Sequence, residues 1–191
     1  MIKAIILDCF GVLVGRGFEE TYRTAGGDPV HDEAFIMDML GQTNLGEISQ
    51  ADFNQAMADK LGISAEAWEA TLRKVEQPNM DLLEYVTELR KQYKLAVLSN
   101  ANRGLIDYIE ELFGQNCFDE IIVSAEVGLT KPDPEIYKHA AQRLGVGLDE
   151  CVFIDDRQAL LDPAAELGMH TILYQDFAQT KAALEKLLSQ S

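Results

Sequence analysis

Four groups of polar residues follow apolar runs or precede a helix signal, and together they are suited to one kind of chemistry. The groups are Asp8, Ser99 with Asn100, Lys131, and Asp155 with Asp156. Separated aspartates suit a hard divalent cation such as Mg²⁺, which prefers oxygen ligands. A lysine together with hydroxyl or amide donors suits the oxygens of a phosphoryl group in transfer. A lone aspartate such as Asp8 would then be the nucleophile that forms an aspartyl-phosphate.

The sequence around these residues predicts a parallel sheet that would bring them together. Apolar runs typical of buried strands end at Asp8, Ser99 and Asp155. From residue 81 onward, strand patterns alternate with helical patterns, the strands falling at residues 95–99, 121–124, 151–155 and 170–174. Such alternation predicts an α/β fold with a doubly wound parallel sheet, a Rossmann-like core. Because the carboxyl ends of parallel strands share one edge, we expect the four groups to converge there.

Capping signals predict where several helices of this core begin. Asp81 is predicted to cap the helix before the second strand. Asp133 precedes Pro134, and proline favours the first position of a helix because its missing N–H costs nothing there. Asp176 is predicted to cap the last helix. These signals place Lys131 in a loop just before a helix start.

Residues 15–79 interrupt the alternation, because their patterns are helical only. Serines precede and glycines end these patterns, at Ser49, Ser64, Gly41 and Gly62. Apolar residues three or four apart, such as Phe53 and Met57, give the segment one face that packs. We therefore expect residues 15–79 to form a small all-helical cap over the strand ends, with residues 1–14 and 80–191 as the α/β core.

The composition is that of a globular protein, with one exception in its charge. The 191 residues carry a formal net charge of −16, which argues against nucleic acid and anionic membrane surfaces as partners. Three scattered cysteines offer no disulfide framework or zinc site. The first strand begins too early to leave room for a signal peptide, and no apolar run approaches the ~20 residues of a membrane span. The expectation is a cytoplasmic protein that acts on a small molecule.

The four groups, in this order and with this insert, resemble the haloacid dehalogenase-like superfamily of aspartate-nucleophile hydrolases. The similarity covers essentially the whole chain. Its most specific motifs are residues 7–13 (LDCFGVL), 98–100 (LSN), 127–137 (VGLTKPDPEIY) and 153–157 (FIDDR). The insert resembles the small helical cap of that family.

The resemblance implies a role for each of the first three groups. Asp8 would attack phosphorus and also ligate Mg²⁺. Ser99 and Asn100 would hold the transferring phosphoryl group. Lys131 would offset the charge of that group and of Asp8.

The resemblance also implies a metal site, and one residue there departs from the family pattern. Asp156 would ligate the metal directly, with Asp155 supporting it. Phosphatases of the family usually carry an aspartate where this chain has Phe10, and that aspartate protonates the leaving oxygen, which is generally worth ~10²–10⁴ in rate. Phe10 transfers no proton, although its backbone carbonyl could still bind Mg²⁺, so we expect slow turnover and reliance on an acidic leaving group. Leu160 is a second departure, since relatives often have Asn or Asp there.

These motifs support one leading hypothesis and two alternatives. The leading hypothesis is a Mg²⁺-dependent phosphatase that acts on a small phosphorylated metabolite through an aspartyl-phosphate on Asp8. Dehalogenating members carry a tyrosine at the position of Phe10 and need no metal, which leaves hydrolysis of a 2-haloacid open. Those members usually lack the paired aspartates, and two adjacent buried carboxylates are costly without a cation. The second alternative is a non-catalytic or regulatory protein that binds a phosphorylated ligand.

Several other residues receive structural interpretations. Cys9 is expected to point away from the side of the strand that carries Asp8 and to be a small core residue. Trp68 is expected in the local core of the helical insert. Arg157 is interpreted as a surface or salt-bridging residue. Arg16 and Arg23 could meet an anionic substrate or lie on the surface.

Overall fold

The centre of the molecule is a parallel sheet of five strands. The computed structural model describes residues 1–15 and 18–190. The strands are β1 (Ala4–Leu7), β2 (Lys94–Ser99), β3 (Glu120–Val123), β4 (Cys151–Asp155) and β5 (His170–Leu173). Their order across the sheet is β3-β2-β1-β4-β5, and every neighbouring pair is parallel. This confirms the predicted α/β class and the doubly wound sheet.

The register around β1 explains why the predicted residues meet. Leu7, the last residue of β1, lies beside Val97 of β2 and Ile154 of β4. The residues that follow these three positions therefore emerge at the same edge of the sheet. The backbone N–H of Asp8 still donates to the carbonyl of Ile154 (2.9 Å), which fixes Asp8 at that edge.

In the part of the chain that the structure describes, four helices lie between β1 and the next part of the core. They are α1 (Phe18–Thr24), α2 (Glu33–Asn44), α3 (Gln50–Leu61) and α4 (Ala65–Val75), and we call them the four-helix segment. They have an apolar cluster of their own, which includes Tyr22, Phe53 and Trp68. The rings of Tyr22 and Trp68 meet edge to face with their centroids 6.3 Å apart. Whether residues 15–79 act as a cap domain stays a prediction.

Six further helices cover the two faces of the sheet. They are α5 (Met80–Leu89), α6 (Gly104–Phe113), α7 (Ser124–Val127), α8 (Pro134–Leu144), α9 (Gln158–Glu166) and α10 (Phe177–Ser189). Successive strand residues point to opposite faces. Ile5 and Leu7 accordingly pack in a cluster with α5, α6 and α10, whereas Ala4 and Ile6 pack in one with α8 and α9. Both faces of the sheet are therefore buried.

Most of the predicted helix boundaries agree with the structure. Ser49 and Ser64 cap α3 and α4, and each side chain accepts a backbone N–H of the first turn. Asp133 caps α8 with Pro134 in its first turn, and Asp176 caps α10.

Three local predictions were wrong. Asn79, and not Asp81, caps α5, because its side chain accepts the N–H of Leu82 at 3.2 Å. Gly41 does not end a helix but lies within α2, which runs to Asn44. Ser124 is the first residue of α7 and not the last residue of a strand, because its carbonyl accepts the backbone N–H of Gly128 within that helical turn.

Among residues 1–15 and 18–190, no helix is long and apolar enough to cross a membrane.

Candidate active site

The carboxyl edge of the sheet holds a buried lysine between two buried aspartates. Lys131 lies in the loop before α8, and its Nζ is 2.9 Å from Oδ1 of Asp8 and 2.7 Å from Oδ2 of Asp155. The three side chains are almost completely shielded from solvent. The backbone N–H of Cys9 donates a further hydrogen bond to Oδ1 of Asp8 at 2.7 Å. The structure thus brings Asp8 together with two residues that are more than a hundred positions away from it in the chain.

Burial and mutual attraction set the ionisation of this cluster. Burial raises the pKa of Asp8 to about 6, against the opposing effect of Lys131, and the nearby charge of Asp155 adds to the rise. Burial alone would lower the pKa of Lys131, but the carboxylates of Asp8 and Asp155 outweigh it and raise that pKa. Lys131 is therefore firmly cationic, and it holds two anions that would otherwise repel each other.

Asn100 is engaged with the backbone of the lysine loop. Its side-chain nitrogen donates to the carbonyl of Lys131 at 2.7 Å, and its oxygen accepts the N–H of the same residue at 2.8 Å. This pair of hydrogen bonds positions Lys131 and occupies both ends of the carboxamide. Ser99, the last residue of β2, is 1% exposed and lines the cavity beside Asp8. The predicted phosphoryl contacts of Ser99 and Asn100 stay predictions.

The adjacent aspartates at the end of β4 have different surroundings. Asp155 is fully buried, and its carboxylate accepts the N–H of Arg157 at 2.9 Å besides the Lys131 ammonium. Asp156 is only partly buried, and one carboxylate oxygen each from Asp8, Asp155 and Asp156 lie within 4.8 Å of one another. Asp156 also lines a cavity, so a cation from solvent can reach its carboxylate.

Gly11 supplies the space in which the Asp156 carboxylate lies. Its φ is +93°, and a Cβ atom there would fall 2.3 Å from Oδ2 of Asp156. Any side chain at position 11 would therefore displace that carboxylate as well as strain the backbone. Three crowded carboxylates with a cradle for one of them fit a hard divalent cation, which accepts oxygen ligands and neutralises their repulsion.

A cavity of about 540 Å³ opens beside Asp8, between the sheet edge and the four-helix segment. Its lining is mainly apolar and aromatic, and includes Phe10, Phe18, Phe53, Leu72, Leu105, Tyr108 and Leu160. Phe10 is 36% exposed, although Asp8, two residues earlier, is only 6% exposed. A second cavity, of about 790 Å³, reaches Asp156 along Gly11, Asn79 and Tyr174. The nucleophile candidate and the metal-ligand candidate are thus approached from two different cavities.

Glu76 is a cavity residue that sequence reasoning did not single out. It follows α4, lines the same cavity as Asp8, and burial raises the pKa of its carboxyl to about 7. Burial likewise raises the pKa of Tyr108 to about 12, and the charge of Glu76 contributes to that rise. No local pattern marks Glu76, because its setting depends on how α4 meets the core.

Polar side chains of the four-helix segment bind one another at the cavity wall. Gln50 donates to Oδ1 of Asn54 at 2.8 Å, and Asn54 donates to Glu69 at 3.3 Å. Trp68 donates its indole N–H to the same Oδ1 at 3.2 Å. The oxygen of Gln50 accepts a hydrogen bond from Asn102, which joins the segment to the core.

The remaining interpreted residues have structural positions. Cys9 is fully buried in the core, and burial raises the pKa of its thiol. Trp68 is fully buried, as expected. Arg157 is exposed and lines the cavity beside Asp8, whereas Arg23 is exposed and paired with Glu19. Arg16 lies outside the described residues.

The fold defines the class of protein as an α/β protein with a doubly wound parallel sheet, and a lysine and three aspartates lie together at the carboxyl edge of that sheet. A family model for haloacid dehalogenase-like hydrolases matches residues 2–168. The chain belongs to the haloacid dehalogenase-like hydrolase family.

Two curated relatives illustrate the range of the sequence similarity. The D-ribitol-5-phosphate phosphatase of Bacteroides thetaiotaomicron is 26% identical over a gapped alignment of 205 positions. The alignment covers 99% of this chain and 100% of the relative. The bifunctional epoxide hydrolase 2 of Rattus norvegicus is 44% identical, but over 70 residues that cover 37% of this chain and only 13% of that protein.

Solved structures of the family share the fold. A predicted haloacid dehalogenase-like hydrolase from Porphyromonas gingivalis superimposes with a TM-score of 0.77 at 25% identity and covers 98% of both chains. A family enzyme from Bacteroides thetaiotaomicron, in complex with magnesium and inorganic phosphate, gives a TM-score of 0.75 at 24% identity. It covers 94% of this chain and 99% of that chain.

Proposed function

We propose that this protein is a Mg²⁺-dependent phosphatase that hydrolyses a small phosphate monoester through an aspartyl-phosphate on Asp8. The observation that carries the proposal is the buried Asp8–Lys131–Asp155 cluster with Asp156 beside it. The relatives support it, because one is a D-ribitol-5-phosphate phosphatase and one solved neighbour holds magnesium and phosphate. The four-helix segment would then be the cap that covers the substrate.

We propose that the two oxygens of Asp8 have different tasks. Oδ1 is held by the ammonium of Lys131 and by the N–H of Cys9. Oδ2 would be the attacking atom, forming a bond to phosphorus as the bond from phosphorus to the substrate alcohol breaks. Water would then attack the aspartyl-phosphate and release inorganic phosphate. Lys131 would offset negative charge in both steps.

The residues present fit Mg²⁺. Asp8 and Asp156 would ligate it, with Asp155 as the supporting carboxylate and the Phe10 carbonyl as a further oxygen ligand. When bound, the ion would neutralise charge on the phosphoryl oxygens. Ser99, in the cavity beside Asp8, would donate to one of those oxygens.

The first test is phosphate release from sugar phosphates, nucleotides and an activated aryl phosphate, with and without Mg²⁺. Asp8→Asn keeps the size of the side chain but removes the nucleophile, so we expect at least a ~10³-fold loss of release. Release that persists in Asp8→Asn would overturn the aspartyl-phosphate mechanism.

The same panel separates the alternatives. Chloride release from a 2-haloacid without metal would establish the dehalogenase hypothesis in place of the phosphatase. Thermal stabilisation by Mg²⁺ and phosphate analogues, with no turnover of any compound, would establish a binding protein instead.

A second test concerns the missing proton donor. Phe10→Asp should raise kcat at least several-fold, because an aspartate at this position would protonate the leaving oxygen. Phe10→Leu is the matched control, since it changes the ring without adding an acid. An unchanged kcat in a well-folded Phe10→Asp protein would show that proton transfer does not limit the reaction.

A further inference from the structure

The cavity beside Asp8 has walls that distinguish between classes of phosphate ester. We infer that this cavity selects phosphate monoesters of aromatic alcohols, with the phosphate-bearing oxygen attached to the ring. The inference rests on the proposed function and adds to it the class of substrate. It comes from three observations: aromatic walls, polar groups that already have partners, and the lack of a proton donor at position 10.

The aromatic walls come from both sides of the cavity. Phe10 and Tyr108 line it from the core, and Phe18 and Phe53 line it from the four-helix segment. The rings of Phe18 and Phe53 are already 5.8 Å apart, in a tilted arrangement. Phe10 is exposed to the cavity and offers a ring surface within two residues of the nucleophile. Aromatic pairs of this kind favour another ring over an aliphatic group of equal size.

Three polar side chains of the four-helix segment that line the cavity already have hydrogen-bond partners. The nitrogen and the oxygen of Gln50 are bonded to Asn54 and Asn102, respectively. Both ends of the Asn54 carboxamide are likewise engaged, its nitrogen with Glu69. The hydroxyl of Thr43 donates to a helix carbonyl at 2.7 Å. A sugar or polyol would have to break these bonds before it gained its own.

No acid is placed to protonate the leaving oxygen from position 10. Glu76 also lines the cavity, but it follows α4 and does not lie at the strand end that carries Asp8. Lys131 is committed to two carboxylates. Without an acid at position 10, the proposed step has the leaving group depart with its electron pair and take up a proton from water afterwards.

A phenolic oxygen meets that requirement, and an aliphatic one does not. Phenols have a pKa of about 10, as tyrosine has, whereas the pKa of an aliphatic alcohol is far higher and close to that of water. In the proposed step Asp8 Oδ2 bonds to phosphorus, the phosphorus–oxygen bond to the ring breaks, and phenolate leaves. An aromatic ring in the cavity and an acidic leaving oxygen are thus two properties of one substrate.

The test compares four compounds in the presence of Mg²⁺: phenyl, benzyl and cyclohexyl phosphate, and ribitol 5-phosphate. Phenyl phosphate has both properties, benzyl phosphate has the ring alone, and cyclohexyl phosphate has neither. We expect kcat/KM to fall in the order phenyl, benzyl, cyclohexyl, with at least a ~100-fold gap between phenyl and benzyl. Ribitol 5-phosphate should rank below phenyl phosphate.

Variants at position 10 separate recognition from proton transfer. Phe10→Asp should reduce the ratio of kcat/KM for phenyl phosphate to kcat/KM for benzyl phosphate, because it supplies the missing acid. Phe10→Leu should weaken calorimetric binding of phenylphosphonate about 5-fold and change binding of propylphosphonate little. Val30→Ala, at a position 76% exposed on the four-helix segment, is the surface control.

The possible failures are distinguishable. No Mg²⁺-dependent release from any compound would overturn the proposed function itself. A kcat/KM for ribitol 5-phosphate above that for phenyl phosphate would overturn only the aromatic specificity. Equal affinity of the unaltered protein for phenylphosphonate and propylphosphonate would also overturn the aromatic specificity, and this binding measurement does not depend on turnover.

Discussion

The two sides of the cavity beside Asp8 are built on different principles. The sheet edge is a compact set of buried charges, in which Lys131 binds two carboxylates at 2.7–2.9 Å. The opposite wall consists of aromatic rings and amides that bind one another within the four-helix segment. At the sheet edge, one ammonium group stabilises two neighbouring carboxylates. In the wall, stabilisation is distributed over many weaker contacts between rings and amides. Under the proposed function, the sheet edge would supply the reactive groups and the wall would select the substrate.

Removing the central charge is expected to have the largest effect. Lys131→Met leaves Asp8 and Asp155 buried side by side without a cation, and should lower the free energy of unfolding by about 3–5 kcal/mol. Urea denaturation in the presence of a chelator would measure the loss. Lys138→Met is the control, because Lys138 pairs with Glu135 on the surface and should change stability by under ~1 kcal/mol. Equal losses in the two variants would remove the distinction between the sheet edge and an ordinary surface.

The second largest effect is expected at Asp156, the candidate metal ligand. Asp156→Asn keeps the shape of the side chain that faces Gly11 but removes its charge. We expect Mg²⁺ affinity, measured by calorimetry, to fall at least ~100-fold while the fold is retained. Asp162→Asn, on the exposed side of α9, is the matched control. Unchanged affinity in Asp156→Asn would exclude Asp156 as a ligand.

Removing the charge of Glu76, at the cavity wall, should change the free energy of unfolding less than Lys131→Met does, and should raise it. Burial raises the pKa of Glu76 to about 7, so the folded state favours its protonated form, and stability falls as the pH rises from about 4.5 to 7. Cys9, Arg73 and Tyr108 are the titratable groups that share its surroundings. Glu76→Gln should therefore stabilise the protein by about 1–2 kcal/mol at pH 8 and by less at pH 5.

Urea denaturation at the two pH values would check this, with the surface variant Glu88→Gln as control. A stabilisation by Glu76→Gln that is the same at pH 5 and pH 8 would contradict the assignment of the effect to ionisation.

The sheet and its edge could be predicted from the sequence because they depend on local patterns. Buried strands appear as apolar runs, and parallel topology then places Asp8, Ser99 and Asp155 at one edge. Lys131 joins them because Asp133 and Pro134 start a helix directly after it. The roles proposed for these residues in catalysis and metal binding remain predictions.

The features that could not be predicted depend on tertiary contacts. Asn79, and not Asp81, caps α5, because it is also fixed by hydrogen bonds to the carbonyl of Val12 and the hydroxyl of Tyr174. Gly41 lies within α2, on an open side of the helix. A Cβ atom at this position would have no neighbour within 4 Å among the described residues, apart from the backbone of its own helix. The environment of Glu76 depends on the junction between α4 and the core, to which no periodicity points.

The hydrogen bonds between Asn100 and Lys131 have a consequence for how the sequence can change over evolutionary time. The two residues are 31 positions apart, yet one carboxamide holds both backbone groups of the lysine. A substitution at position 100 would release the loop that presents the ammonium group, even where the lysine itself is kept. Positions 100 and 131 are therefore structurally coupled. A protein of this fold that lost the side chain at position 100 would need other hydrogen bonds to hold the loop at position 131.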